Sequence, residues 1–146
     1  MILDTQMSLS RAQSVAATVG DIVSTDVYDT GANADVGIGE ELYLVAQTNA
    51  AVTSGGAATI AFILQTDDNV SFSSVREIPL TGALALAALT ANTVHVRTRL
   101  PIGLERFFRV VYRVAGATTT GGTVTTFLTK DIQLAPTIAT TVPSVK

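Results

Sequence analysis

His95 is the only histidine in the 146-residue chain, and so the first candidate for acid–base chemistry. A catalytic imidazole needs a neighbouring group that orients its ring and a reacting group within reach. His95 lies in an alternating stretch beside Arg97, where we expect it on the polar face, and no carboxylate stands at strand spacing from it. The pattern favours a surface or interface histidine over a catalytic one.

Two short motifs offer oxygen ligands or a phosphate loop, and each has a simpler interpretation. Asp67-Asp68-Asn69 could supply oxygens to calcium, but the alternating acids, glycine and distal glutamate of an EF-hand are missing. An Asx turn that ends a strand accounts for all three residues. Gly37-Ile38-Gly39 precedes a strand rather than a helix that could hold an anion, so it is better interpreted as a turn.

Arginines form the most informative charged feature. Five of the nine basic residues fall within 17 positions, and the charge is divided along the chain. Residues 1–69 carry nine acids against one base, and residues 70–146 carry three acids against eight bases, which together give the net charge of −3. Three explanations remain open: nucleic-acid binding, pairing of the two halves within one subunit, and pairing between subunits. Few lysines and a single aromatic residue, Phe107, on the arginine face argue against the first.

Composition excludes several classes of function. The absence of cysteine removes disulfides, thiolate metal sites and cysteine nucleophiles. No apolar run approaches the length of a membrane span, and the first residues lack the basic start of a secretory signal. The chain is 47% hydrophobic and only 14% charged, with 22 threonines and 20 alanines, so we expect part of its exterior to be buried against another protein.

The elements that must position these residues are strands. Runs of alternating or continuous apolar residues, separated by Gly, Asn, Asp and Pro turns, predict about seven strands and an all-β fold, a sandwich or barrel. The stretch 57–66 is apolar on both faces and is therefore expected at the centre of a sheet. In residues 106–114, alternation predicts that four side chains point inward: Phe108, Val110, Tyr112 and Val114.

The chain is predicted to be one domain over residues 1–146, with weakly patterned ends. Residues 1–19 are expected to form an arm or a short helix beginning at Ser8, and residues 134–146, with Pro136 and Pro143, an extended tail. Residues 80–92 are expected to form a lone helical turn or an irregular loop, and residues 116–122 a loop. Strands 93–99 and 106–114 are expected to pair as a hairpin across residues 100–105, with Arg97 opposite Arg109 and the arginines crowded on one outer face.

Several segments together resemble the small capsid cement (decoration) proteins of tailed bacteriophages. They are residues 24–29, 35–44, 55–59, 64–69, 72–74, 101–104, 106–114 and 123–129, so the resemblance covers roughly residues 5–133. It implies a jelly-roll-like antiparallel β-sandwich that trimerises on the outside of an icosahedral shell, with the major capsid protein as partner. It carries no catalytic residue, metal or cofactor to this chain.

The expected function is therefore that of a virion structural protein, not an enzyme, that has no nucleic-acid or membrane partner and stabilises the head by bridging capsomers. The alternative is a carbohydrate-binding β-sandwich of a phage tail fibre or a secreted protein. Crowded arginines need carboxylates to cover them, from the same chain, a neighbouring subunit or the capsid. The predicted interface consists of Arg97, Arg99, Arg106, Arg109, Arg113, Asp35, Glu40 and Glu41.

Overall fold

The computed structural model describes residues 5–32 and 41–130, which form one turn of 3-10 helix, Thr5–Met7, and ten strands. The strands are β1 (Ser8–Ser14), β2 (Gly20–Val23), β3 (Tyr28–Asp29), β4 (Tyr43–Ser54), β5 (Thr59–Asp67), β6 (Arg76–Pro79), β7 (Leu84–Ala85), β8 (Thr93–Arg99), β9 (Phe107–Ala115) and β10 (Thr119–Thr129).

All strand pairs are antiparallel and form two sheets. A four-stranded sheet has the order β1-β10-β4-β8, and a larger sheet has the order β2-β9-β5-β6, with β3 also on β9 and β7 also on β5. Without the two-residue strands β3 and β7, the remaining eight strands, counted along the chain, lie in the orders 1-8-3-6 and 2-7-4-5. This is the double-sheet jelly roll. The predicted all-β, jelly-roll-like antiparallel sandwich is confirmed.

The core fills the space between the sheets. Tyr112 is fully buried, and its ring packs edge-on against that of Phe62, with 5.5 Å between the ring centres. Its hydroxyl reaches across to the four-stranded sheet, where it hydrogen-bonds with the hydroxyls of Ser10 and Thr126, both at 2.7 Å. Because a buried hydroxyl needs partners, this cluster fixes the two sheets relative to each other.

Alternation identified the inward face of β9, and a continuous apolar run identified β5 as a central strand. The four β9 residues predicted to point inward are all at most 1% exposed. β5 lies between β9 and β6, as its continuous apolar pattern predicts.

The N-terminal prediction is wrong where the structure describes the segment. Residues 8–14 are neither an arm nor a helix, but the edge strand β1 on β10. Leu9 and Val15 are buried in the core. The serines and alanines of this segment give little local signal, and its partner strand lies more than a hundred residues away. The predicted tail, residues 134–146, lies outside the described residues.

The predicted hairpin of strands 93–99 and 106–114 is also wrong. β8 pairs with β4 in one sheet, whereas β9 pairs with β2, β3 and β5 in the other. Residues 100–106 therefore cross from sheet to sheet, and Arg97 and Arg109 are not opposite each other. A turn signal marks where the chain bends but not whether the next strand joins the same sheet.

Two predicted loops contain strand residues. β10 begins at Thr119, inside the segment 116–122, and the alanine-rich segment 80–92 includes the short strand β7. Gly116, at a φ of +81°, makes the turn before β10 possible. A Cβ there would lie 2.3 Å from the carbonyl oxygen of Ala57, so the turns 55–58 and 116–118 are in close backbone contact.

Candidate interaction surface

The five clustered arginines are divided between the two sheets. Arg97 and Arg99 are on β8, at the edge of the four-stranded sheet, while Arg106 precedes β9 and Arg109 and Arg113 lie within it. The single crowded face predicted from the sequence does not exist. Two separate groups of basic residues take its place.

Arg113 is the centre of the group on the larger sheet. Its Nε and Nη2 donate to the two carboxylate oxygens of Asp21 on β2, at 2.7 and 2.8 Å. Its Nη2 and Nη1 also donate to Glu77 on β6, at 2.8 and 3.2 Å. One guanidinium thus joins the two strands that flank the β9–β5 pair.

This arrangement stabilises the ionised forms of all three groups. Hydrogen bonds from Arg113 lower the pKa of Asp21, and hydrogen bonds from Arg113 and Gln65 lower the pKa of Glu77. The same carboxylates raise the pKa of Arg113. A carboxyl whose pKa is lowered by folding contributes its full stability above its unfolded pKa, so this contribution decreases progressively as the pH falls below about 4.

Gln65 extends the network to a second arginine. Its amide nitrogen donates to Glu77 at 2.9 Å, and its amide oxygen accepts from Nε of Arg109 at 2.9 Å. The Arg109 guanidinium also lies 3.9 Å from the centre of the Phe72 ring, in a cation–π contact. A continuous polar chain therefore crosses the whole sheet, from β2 to β6.

The polar chain covers an apolar row on the outside of the sheet. Val111 pairs with Ile63, and both alternate with inward-facing neighbours, yet Val111 is 0% and Ile63 5% exposed. In the register, Arg113 lies opposite Ala61 and Glu77 opposite Gln65, so their ion pair passes over Ile63, which lies between them. The aliphatic parts of long charged side chains can shield apolar surface in this way.

Arg106 forms a separate pair at the end of the same sheet. Its Nε and Nη2 donate to the carboxylate of Asp29 at 2.8 and 3.0 Å, and its guanidinium lies 4.8 Å from the centre of the Phe107 ring. Phe107, the aromatic residue considered for base stacking, is thus partly covered by an arginine of its own chain.

The basic residues of β8 are less engaged. Arg99 contacts Glu41 at 3.3 Å, and Glu41 also accepts a hydrogen bond from the Tyr43 hydroxyl. Arg97 is exposed, and within residues 5–32 and 41–130 no hydrogen bond, ion pair or ring contact holds its guanidinium. Of the three carboxylates in the predicted interface, Asp35 and Glu40 lie outside the described residues.

Sequence reasoning missed the acidic partners of this surface. Asp21, Glu77 and the relay residue Gln65 were not singled out, although Gln65 lies in the apolar stretch 57–66. Their proximity depends on the strand order β2-β9-β5-β6, which local patterns do not determine. The available signal was the excess of acids in the first half of the chain and of bases in the second half. It indicated that the two halves could pair, but it did not identify which residues would do so.

His95 occupies a different position from the one predicted. The β4–β8 register shifts between the pairs Ala46–Val96 and Gln47–Val94, so His95 is the extra residue of a bulge. Its ring stacks on that of Phe62, with 5.5 Å between the ring centres, and does not lie on the polar face beside Arg97. Val94, the residue before the bulge, is 39% exposed.

The hydrogen bonds of His95 are structural. The Thr48 hydroxyl donates to the carbonyl oxygen of Thr90, so its oxygen accepts from Nε2–H of His95 at 3.0 Å. Burial lowers the pKa of His95, which favours the neutral ring.

Asp67 also has a structural role. Its carboxylate accepts hydrogen bonds from the backbone N–H of Asn69 at 2.9 Å and of Ser74 at 2.6 Å, which form the predicted Asx turn.

Two shallow grooves flank β1. The larger, about 410 Å³, is lined by polar side chains of β1, β4 and β10 together with Arg11, whose Nη2 donates to the carbonyl oxygen of Thr5.

Within the described ranges, no group of three histidine or acidic side chains is arranged to hold a metal ion. No described helix is long and apolar enough to cross a membrane.

Comparison with known proteins gives one family match. A model of the Bbp16 family matches residues 9–128, while a search of curated proteins finds no match. A solved chain, "Structure of infectious bursal disease virus Gx strain", aligns with a TM-score of 0.42 and 12% identity over 84% of this chain and 30% of its own, too weak a likeness to support an inference. The family match spans most of the segment that resembles phage cement proteins, although the cement role itself stays a prediction. Since the match covers most of the sequence, the chain belongs to the Bbp16 family.

Proposed function

We propose that this protein is a structural, non-enzymatic component of a virion that binds the outside of an icosahedral head and stabilises it by bridging neighbouring coat subunits. The observation that carries the proposal is the jelly-roll order of the two sheets, an architecture that recurs in viral capsid domains. Fold alone does not determine function, so the surfaces of the molecule must support the same conclusion.

The contacts of the reactive side chains support a role in binding other proteins. The His95 ring stacks on Phe62, Asp67 closes a turn, and Arg113 is held by two carboxylates. Each of these groups stabilises the sandwich. A rigid scaffold is what a cementing subunit needs, because a ligand that binds only the assembled lattice stabilises that lattice by mass action, and many copies act together.

The alternative, a carbohydrate-binding module, shares the architecture, because lectins also use jelly rolls. Sugar sites favour exposed aromatic rings. All eight aromatic residues of this chain lie in its described part, and each is buried or half-buried: Tyr28, Tyr43, Phe62, Phe72, Phe107, Phe108, Tyr112 and Phe127. This distribution favours the head-binding proposal over glycan binding.

Within the proposal, the partners are the major capsid protein and further copies of this chain, without nucleic acid or membrane. Arg97 and Arg99 are the basic side chains most available to a coat protein, because Arg97 lacks a partner in the described residues and Arg99 has only one exposed ion pair. The other arginines of the predicted interface are engaged within the subunit.

The direct test uses purified heads that lack this protein. The heads are mixed with increasing amounts of the purified protein, pelleted, and assayed for bound protein and for the temperature at which they release DNA. We expect saturable binding to assembled heads, little binding to unassembled coat protein, and a higher release temperature. Absence of binding to heads, together with binding to a glycan array, would instead establish the carbohydrate-binding alternative.

A further inference from the structure

Among the residues that the structure describes, those at one end of the sandwich include no charged side chain. This end is formed by residues 15–20, 54–59, 83–94 and 115–120, hereafter the neutral end, which contain no Asp, Glu, Lys or Arg. Backbone contacts bring these segments together: the N–H of Thr119 donates to the carbonyl oxygen of Ala17 at 2.9 Å, and Thr59 pairs with both Ala85 and Ala115.

Small and apolar side chains cover this end. Most of its exposed residues are Ala, Gly and Thr, and Val19 and Val94 are 58% and 39% exposed. Such side chains lose little conformational freedom when an interface orders them. They also allow two backbones to approach closely.

The opposite end is charged. The ion pairs Arg106–Asp29 and Arg99–Glu41 lie there, as does Arg76, which donates to the carbonyl oxygen of Gly103. Ile102, 73% exposed, projects from the same end in the crossing between β8 and β9. The two ends of one sandwich therefore offer different kinds of surface.

We propose that the neutral end is the surface through which copies of this chain associate with one another. In a symmetric oligomer, residues near the axis meet the same residues of another copy, so any charge there meets its like. A surface without charges avoids this repulsion. A different protein would be selected through complementary charges, and this end has none to offer.

A specific interface of about 1,200 Å² takes about 600 Å² from each copy. One chain exposes 8086 Å², so such an interface would cover less than a tenth of its surface. The inference assigns a surface to the self-association that the proposed function includes, and it concerns that association in the absence of heads.

Sedimentation velocity of the free protein from about 1 to about 100 µM tests the inference. We expect an oligomer for the wild type, and at least a tenfold increase in the dissociation constant for the double variant Val19→Lys, Ala88→Lys. The matched control is Ile102→Lys, which adds a charge at the opposite end and should leave the dissociation constant unchanged. Circular dichroism and thermal melting of each variant establish that it is folded.

Mixing variants of opposite charge tests whether the lysines act directly at the interface between two copies. Mixing the double lysine variant with Val19→Glu, Ala88→Glu should restore mixed oligomers if the neutral ends face each other. A wild-type protein that is monomeric at every concentration would overturn the inference, as would an oligomer weakened by Ile102→Lys but not by the two lysines. Head binding plays no part in this readout, so its failure and that of the proposed function are distinguishable.

Discussion

Arg113 shows how one exposed side chain can connect strands that are far apart in the sequence. Its partners come from β2 and β6, and its side chain remains 41% exposed. Exposed ion pairs contribute little singly, but a guanidinium with two carboxylate partners and an apolar row beneath it should contribute more.

Replacing Arg113 with methionine is predicted to lower the free energy of unfolding by about 1–2 kcal/mol, because Asp21 and Glu77 are left close together without a cation. Urea denaturation at neutral pH measures the loss. Arg97→Met is the matched control, which removes an arginine from an exposed strand position without breaking a described contact. Equal stabilities of the two variants would show that the network contributes nothing.

His95 is predicted to make stability depend on pH in a range where the carboxylates do not titrate. Folding lowers its pKa, so the unfolded chain takes up the proton more readily. The stabilising contribution is complete above the unfolded value of about 6.5 and decreases as the pH falls below it. Thermal melts between pH 8 and pH 5 should show this decrease.

His95→Gln supplies the control for that measurement, because its amide can still donate to Thr48 but does not titrate. Its melting temperature should vary less over the same range. A variant with the same pH dependence as the wild type would assign the effect to another group.

Glycine at position 116 is required where two strand connections touch. Its φ of +81° disfavours other residues, and an added methyl group would meet the carbonyl oxygen of Ala57. Gly116→Ala should therefore cost about 1–3 kcal/mol. Gly55→Ala, where nothing lies within 4 Å of the added atom and φ is not positive, should be close to neutral in the same denaturation experiment.

β1 is part of the sandwich, and its removal should be costly. Leu9 is 1% exposed within the core, so Leu9→Ala is predicted to destabilise the protein by about 2–4 kcal/mol. Limited proteolysis provides an independent measurement. Residues 8–14 should resist cleavage in the wild type, and rapid trimming to residue 15 without loss of the fold would contradict this assignment.

Patterns within single strands proved more informative than the connections between them. The alternation in residues 106–114 identified β9 with its inward face, and the apolar run in 57–66 identified β5 as a central strand, because each strand's burial is encoded in its own side chains. The hairpin of β8 and β9 failed because sheet membership depends on long-range packing. Arg113 could be recognised as an arginine in need of carboxylates, but Asp21 and Glu77 became its partners only through the strand order.

The molecule as a whole separates its charged and uncharged surfaces. Of the five clustered arginines, those engaged within the subunit lie on or next to the larger sheet, the more available ones lie on β8, and the described neutral end has none. This separation lets self-association and head binding use different surfaces, and it indicates where variants should act on one and not on the other.

Arg97→Glu combined with Arg99→Glu is predicted to weaken binding to heads at least tenfold while leaving the fold and the self-association unchanged. The two substitutions reverse the charge on β8, and among the described contacts Arg99 has a single exposed ion pair to lose. Pelleting with heads at low and high salt is the measurement, since a contact between charged surfaces weakens as salt increases. Binding equal to that of the wild type at both salt concentrations would remove β8 from the head-binding surface.

The position of β10 between β1 and β4 has a consequence for synthesis on the ribosome. β1 is made first, yet its partner in the sheet is the last strand described, so it stays unpaired until almost the whole domain has been translated. Sheets built from such distant pairings form slowly, and their unpaired edges invite association with other nascent chains. A chain that stops before Thr119 would expose the facing edges of β1 and β4 together, and should accumulate as aggregates rather than as a smaller folded domain.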